Sequence, residues 1–139
     1  MADISKIIET LNEENNNSYE FVVYGTPTNE TEYQQNVKYI SGEDENGSAT
    51  FHSTQPYTWS QISGKEAQVD KDIATEKLRA KRDKLLKDSD WEVIMAKEKG
   101  TNLSAAFKTY RQSLRDLPST IEDDDTASDV DAIVFPTKP

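Results

Sequence analysis

The sequence predicts an α+β protein with an N-terminal helix and small antiparallel sheet, a long connecting helix, a C-terminal helical hairpin and an extended tail. Three observations predict this class: helical apolar spacing near the N-terminus, alternating segments around an Asn-Gly pair, and a long Ala-, Glu-, Lys-, Arg- and Leu-rich stretch. Changes in composition divide the chain into three parts. We expect residues 1–64 to be a small α+β region, residues 65–118 a helical module, and residues 119–139 an acidic linker with an extended C-terminal tail.

The first predicted elements are a helix over residues 4–14 and three strands. Apolar residues in the helix follow the i, i+3, i+4, i+7 pattern, and Asp3 stands where an N-cap is expected. Segments 19–24, 36–41 and 48–53 carry the β-branched, aromatic or alternating patterns that are typical of strands. We therefore expect a three-stranded antiparallel sheet with the helix covering one face. The apolar positions of the helix are Ile4, Ile7, Ile8 and Leu11.

The turn between the second and third strands contains Asn46–Gly47. This pair readily adopts the two positive φ angles of a type I′ turn, so we expect a hairpin here, although the sequence leaves the exact length of its loop open. The surrounding acidic residues 43–47 lack the alternate-position acids and the bidentate Glu of a calcium loop. We therefore expect no metal site in this turn.

A long helix is predicted from Lys65 to Lys87, with its start near Trp59 and a hydroxyl of Thr58 or Ser60 as its cap. Trp59 is expected to pack on the sheet. Asp88–Ser89–Asp90 interrupts the apolar pattern and offers N-caps. We therefore expect a second, short helix that carries Trp91, Ile94 and Met95 and ends at Lys99–Gly100.

A third helix has the most regular apolar spacing in the chain. Its cap is expected at Thr101 or Asn102, its apolar residues step by 4, 3, 4 and 3, and Pro118 ends it. Packing against the preceding helix in an antiparallel hairpin would bury this stripe, with Trp91 wedged at the corner. The stripe consists of Leu103, Phe107, Tyr110, Leu114 and Leu117.

Charge is distributed unevenly along the 139 residues. The formal net charge is −10, but residues 1–64 contribute −8, residues 65–117 contribute +3 and residues 118–139 contribute −5. An acidic protein is poorly suited to nucleic acid or anionic membranes, and we expect neither as a partner. The acidic ends either fold back onto the basic middle or leave a bipolar surface for a partner, and ordinary solvated helix faces are a third explanation.

Catalytic and metal chemistry find little support in the sequence. There is no cysteine and one histidine, His52, and neither a Gly-rich phosphate loop nor a Gly-x-Ser-x-Gly elbow is present. We therefore predict a protein without catalytic residues, cofactor or metal ion. The absence of cysteine and of a recognisable signal or membrane segment predicts an intracellular origin.

Residues 78–139 contain three ordered motifs. Arg82–Asp83–Lys84–Leu85–Leu86 precedes Ser89–Asp90–Trp91. The second motif is Tyr110–Arg111–Gln112–Ser113–Leu114–Arg115–Asp116–Leu117–Pro118, and the third is Phe135–Pro136–Thr137–Lys138–Pro139. In this order the three motifs resemble the phage tail-assembly (tail-fibre assembly) chaperone family. In the last motif Phe135 stands where the family has tryptophan, and the stretch between the first two motifs looks more helical than the family's.

The resemblance implies a small, non-enzymatic protein that binds a phage tail-fibre or other tail protein and helps it to fold or assemble. It would act in the host cytoplasm. The alternative is a permanent virion component, an adaptor or decoration of the tail fibre or baseplate, located in the virion tail. A homo-oligomer that follows the symmetry of the fibre fits either role. The residues assigned to partner binding are Trp91, Tyr110, Arg111, Arg115, Phe135, Pro136 and Lys138.

Two further expectations concern the C-terminal half. Charged residues of the motifs are expected to form ion pairs that join the helices, or to contact a partner. The proline-containing end after residue 133 is expected to be extended, lying on its own hairpin or adding to a partner's edge strand. The acidic run of residues 122–125 is expected to be a solvated linker or an electrostatic guide to a basic partner. The charged motif residues are Arg82, Asp83, Arg111, Arg115 and Asp116.

Overall fold

A computed structural model describes residues 2–139 and confirms the α+β class, with helices, a small antiparallel sheet and a long central helix. The chain divides into two compact units, Met1–Val69 and Asp70–Pro139. The long helix contributes its first residues to one unit and the rest to the other. Residues 119–139 lie in the second unit together with the helical hairpin.

The first unit begins with helix α1, Ile4–Glu14, as predicted. Asp3 caps it, since its Oδ1 accepts a hydrogen bond from the backbone N–H of Ser5 at 2.9 Å. The apolar stripe of α1 is buried, and the Asn12 side chain donates to the carbonyl of Tyr19 at 3.0 Å. Helical periodicity was therefore sufficient to place this element and its inward face.

A second helix, α2, spans Glu30–Asn36 and was not predicted. Its start is a reciprocal cap: Asn29 accepts from the backbone of Glu32 at 3.0 Å, and the Glu32 carboxylate accepts from the backbone of Thr28 at 2.7 Å. The hydrogen bonds that the Glu32 carboxylate accepts from the backbone N–H and the hydroxyl of Thr28 lower the pKa of Glu32. The Thr-Asn-x-x-Glu spacing was the sequence signal for this helix.

The sheet has the predicted three antiparallel strands in the order β1 (Phe21–Val23), β2 (Val37–Glu43) and β3 (Ala49–Phe51). The turn differs from the type I′ prediction. Gly47 has φ 77°, but no described non-glycine residue of the turn has a positive φ, and Gly47 donates to the carbonyl of Asp44 at 3.0 Å. The loop is longer because the Asp44 carboxylate accepts from the backbone of Asn46 and Ser48, which closes it without a second left-handed residue.

Three tyrosines form the polar centre of the first unit's core. The Tyr33 hydroxyl lies 2.9 Å from that of Tyr39 and donates to the Tyr57 carbonyl at 2.8 Å. Burial raises the pKa of both Tyr33 and Tyr39, so both phenols stay protonated at neutral pH. Trp59 is half-buried, with its ring 5.8 Å from that of Tyr33.

Helix α3 spans Trp59–Glu98. Thr58 caps it as predicted, since its hydroxyl accepts from the backbone of Gln61 at 3.3 Å and its own N–H donates to the Gln61 side chain at 2.9 Å. The predicted break at residues 88–90 is wrong, because α3 continues through them. The end near Gly100 is confirmed, with Gly100 at φ 65°.

Helix α4 spans Ala105–Asp116 and begins later than predicted. Its cap is Ser104, whose Oγ accepts from the backbone of Phe107 at 3.2 Å, so the proposed caps at Thr101 and Asn102 are wrong. A 3₁₀ turn, Leu117–Thr120, follows at Pro118. The short helix α5, Asp129–Ala132, precedes the C-terminal tail.

Candidate functional site

The second unit is held together by two apolar clusters. The first contains buried Ala74 and Leu78 of α3 with Ile121 and Val130. The second consists of Phe107, Tyr110 and Leu114 of α4, packed against Leu85 and Leu86 of α3 and Leu103. Leu117 and Phe135 pack against both clusters. The inward stripe of α4 is therefore as predicted, but it packs against the unbroken helix α3 and not against a separate short helix, and the tail is part of the same packing.

Arg111 fastens α4 to α3. Its Nη1 donates to the Leu86 carbonyl at 3.0 Å and to the Ser89 hydroxyl, and its Nη2 lies 2.8 Å from the Asp90 carboxylate. Only 12% of the Arg111 side chain is exposed. This contact explains why residues 88–90 do not break α3: Ser89 and Asp90 bind an arginine of another helix instead of capping a new one.

Trp91 does not lie at the corner of the hairpin, and its predicted core position is wrong. Its side chain is 54% exposed, whereas Ser89 is buried. The continuous helix causes this difference, because successive residues of an α-helix are rotated by about 100°. With Ser89 facing α4, Trp91 is turned by about 200° to the opposite side of α3.

The other charged motif residues do not join the helices. Arg82 pairs with its neighbour Asp83, and Asp116 accepts from Gln112 within α4. Arg115 is exposed and forms no ion pair within residues 2–139. The predicted inter-helix pairing therefore holds for Arg111 alone among these residues, and its partner is Asp90.

The C-terminal tail lies on its own hairpin, the first of the two predicted arrangements. Phe135 and Pro136 are half-buried, and Phe135 contacts both apolar clusters. The Lys138 ammonium lies 3.3 Å from the Glu92 carboxylate and 5.7 Å from the centre of the Phe107 ring. These contacts attach the tail to both helices.

The acidic segment folds back onto lysines of α3. Lys71 binds Asp123 at 2.5 Å, and Asp131 accepts from Lys77 at 2.6 Å and from Lys81 at 2.7 Å. Hydrogen bonds from Lys77 and Lys81 lower the pKa of Asp131 to about 2. The hydrogen bond from Lys71 lowers the pKa of Asp123. In the second unit, part of the acidic charge is therefore compensated within the chain.

An open groove of about 480 Å³ is lined by residues of α3, of α4 and of the loop that joins them. Apolar Val93 and Leu103 line it beside the cations Lys108, Arg111 and Arg115. Arg111 is already bound by Asp90, but the exposed side chains of Lys108 and Arg115 form no ion pair or hydrogen bond within the part of the chain that the structure describes. The groove thus offers two unpaired positive charges next to apolar surface.

The seven residues assigned to partner binding do not form one surface. Tyr110 is buried in the hairpin, Arg111 is committed to the helix contact, and Trp91 faces away from α4. Phe135, Pro136 and Lys138 belong to the docked tail. Arg115 is exposed and forms no ion pair within residues 2–139, and Lys108, which lies outside the recognised motifs, lines the same groove.

Two observations bear on other functions. No group of three or more histidine or acidic side chains that could hold a metal ion occurs within residues 2–139. None of the helices formed by those residues has both the length and the apolar character needed to cross a membrane.

Comparison with protein families gives a match in the C-terminal part of the chain. Searches of curated proteins and of solved structures found nothing similar. Residues 75–139, somewhat under half of the chain, match the family model described as phage tail assembly chaperone protein. The match covers most of the second unit and confirms the resemblance indicated by the three ordered motifs: this part of the chain is similar to the phage tail assembly chaperones.

Proposed function

We propose that the protein is a non-enzymatic phage tail assembly protein that binds a tail-fibre or other tail protein and assists its folding or attachment. The observation that carries the proposal is the family match over residues 75–139. These residues contain the helical hairpin, the acidic segment and the docked tail, which together form a packed unit. The protein acts in the host cytoplasm, where tail proteins are made and assembled.

The groove beside α4 is the proposed binding surface for the tail protein. Lys108 and Arg115 are free to bind carboxylates, and an arginine guanidinium does so with two parallel hydrogen bonds. Val93 of α3 and Leu103 supply apolar contact area beside these cations. The groove therefore suits a tail-protein segment that carries acidic residues beside an apolar one.

Three of the assigned residues stabilise the groove in this proposal and do not contact the partner. They are Tyr110, Arg111 and Phe135. Each is packed or hydrogen-bonded within the unit, so none has to be released for a partner to bind. Substituting them would lower binding by unfolding the surface, whereas substituting Lys108 or Arg115 would remove the binding groups themselves.

Co-expression with tail proteins of the same phage tests the proposal. We expect this chain to raise the soluble yield of one tail protein and to co-purify with it. The double variant Lys108→Glu, Arg115→Glu should lose co-purification because it reverses both charges of the groove. Arg79→Glu is the matched control, since Arg79 is also an exposed cation of the second unit and forms no ion pair within residues 2–139.

Two results would contradict the proposal. If no tail protein changes in soluble yield and none co-purifies, the assembly role is wrong. If the double variant binds like Arg79→Glu, the role stands but the groove is not the binding surface. Mass spectrometry of purified particles tests the alternative of a permanent virion component, which requires this chain in stoichiometric amounts.

A further inference from the structure

The outer face of α3 carries an apolar patch at its C-terminal end. Trp91 is 54% exposed and Ile94 is 57% exposed, although both are large apolar side chains. Lys87 lies four residues before Trp91, and Glu98 lies four residues after Ile94. Since about four residues make one helical turn, these side chains form one stripe, Lys87, Trp91, Ile94 and Glu98, which we call the Trp91 stripe.

Within residues 2–139, the two charged ends of the Trp91 stripe have no side-chain partner. The exposed side chains of Lys87 and Glu98 form no ion pair or hydrogen bond in residues 2–139, and Trp91 contacts no aromatic ring among them. Helix α4 packs on the other side of α3, where Ser89 is buried. An exposed tryptophan beside an exposed isoleucine, with charges at both ends, is typical of a surface that another protein covers.

The opposite charges at the two ends of the Trp91 stripe favour a second copy of this chain as its partner. An antiparallel copy that places its Ile94 against Trp91 also places its Glu98 against Lys87. This follows because Lys87 and Trp91 are four residues apart, and so are Ile94 and Glu98. A twofold axis then repeats each contact, so one stripe supplies two apolar contacts and two opposite-charge contacts. A parallel copy would instead place lysine against lysine and glutamate against glutamate.

We propose that two copies of this chain associate through their Trp91 stripes, antiparallel and about a twofold axis. The contact uses the face of α3 opposite to the groove beside α4. Self-association therefore leaves Lys108 and Arg115 accessible in both copies. This pairing is distinct from an assembly that follows the symmetry of a tail fibre.

Sedimentation equilibrium of the full chain over a wide range of concentrations tests the proposal. We expect a dimer, and we expect Trp91→Ala to weaken it about tenfold or more, as for a central aromatic contact. Because Trp91 is exposed, the helical circular dichroism spectrum of this variant should be unchanged. Tyr24→Ala removes a similarly exposed aromatic side chain, 56% exposed, from the first unit and should leave the dimer unchanged.

Charge reversal tests the antiparallel arrangement. Lys87→Glu and Glu98→Lys should each weaken the dimer, since each sets like charges together, and the double variant should restore it. Within one chain these two residues are about 16 Å apart along the helix axis, so restoration reports a contact between copies. The proposal is overturned if the chain is monomeric at all concentrations, if Trp91→Ala dimerises normally, or if the double variant is no tighter than the single ones. Binding of a tail protein to the stripe of a monomeric chain would also overturn it.

Discussion

Replacing Phe135 with alanine tests whether the C-terminal tail belongs to the fold of the second unit. The ring contacts the cluster around Leu78 and the cluster around Leu114, so its loss leaves a gap between two groups of buried residues. Truncating a fully buried phenylalanine costs about 3–5 kcal/mol. Because Phe135 is only half-buried, we expect a loss of about 2 kcal/mol in the free energy of unfolding.

Urea unfolding followed by circular dichroism at the helical band measures this loss. With a denaturant slope of about 2 kcal/mol per molar urea, the midpoint of the transition should fall by about 1 M. Val134→Ala is the matched control, since the neighbouring side chain is 90% exposed and should contribute almost nothing. Equal midpoints for Phe135→Ala and Val134→Ala would refute the packed tail and favour a detached segment that is offered to a partner.

Three other predictions concern the stability of the fold, and each follows from a hydrogen bond or ion pair described above. Arg111→Met should lower the free energy of unfolding by about 1–3 kcal/mol, because it removes the hydrogen bonds to Leu86 and Ser89 in a half-buried setting. Tyr33→Phe should cost about 1–2 kcal/mol, because the Tyr57 carbonyl and the Tyr39 hydroxyl each lose a buried partner. Asp131 should make the second unit sensitive to acid: its folded pKa of about 2 is below the ordinary 3.8, so its stabilising contribution is present above about pH 4 and is lost as the pH falls through 2.

Each of these perturbations has a matched control. Arg115→Met removes an unpaired arginine of α4 and should leave the unfolding midpoint unchanged, which separates the contact of Arg111 from a general effect of charge. Tyr24→Phe removes an exposed hydroxyl and should be neutral. Asp131→Asn should flatten the acid dependence between pH 4 and 2, whereas Asp124→Asn should keep it. An unchanged acid profile in Asp131→Asn would contradict the ion pairs with Lys77 and Lys81.

Elements with a regular local pattern were predictable. The stripe of α1 and the stripe of α4 each repeat with helical spacing, and burial of one face explains both the pattern and the packing. The alternation in β2 likewise predicted its pairing with its neighbours. The short helix α2 was missed although its capping residues Thr28, Asn29 and Glu32 are a local signal, because it has little apolar periodicity.

The wrong predictions for residues 88–91 depended on which distant residue satisfies a polar group, whereas the turn at Asn46–Gly47 and the cap of α4 were decided by the nearby side chains of Asp44 and Ser104. Asp88–Ser89–Asp90 has the composition of a helix start, and it remains helical because Arg111 from α4 binds Ser89 and Asp90. The exposure of Trp91 follows from the same contact, since an unbroken helix fixes the direction of its side chain. The candidate groove also depends on tertiary contact, because Asp90 pairs with Arg111 and leaves Arg115 free.

The sequence by itself determined the class of the fold, the absence of cysteine, the family resemblance of the C-terminal half and the separation of acidic ends from a weakly basic middle. Only the tertiary structure decided which acidic residues form ion pairs with which lysines. Asp123 and Asp131 bind lysines that lie 52 and 54 residues earlier in the chain. Phe135 packs against the buried residues of the hairpin. Periodicity is a property of neighbouring residues and can be read locally, whereas contacts over such separations depend on the path of the whole chain.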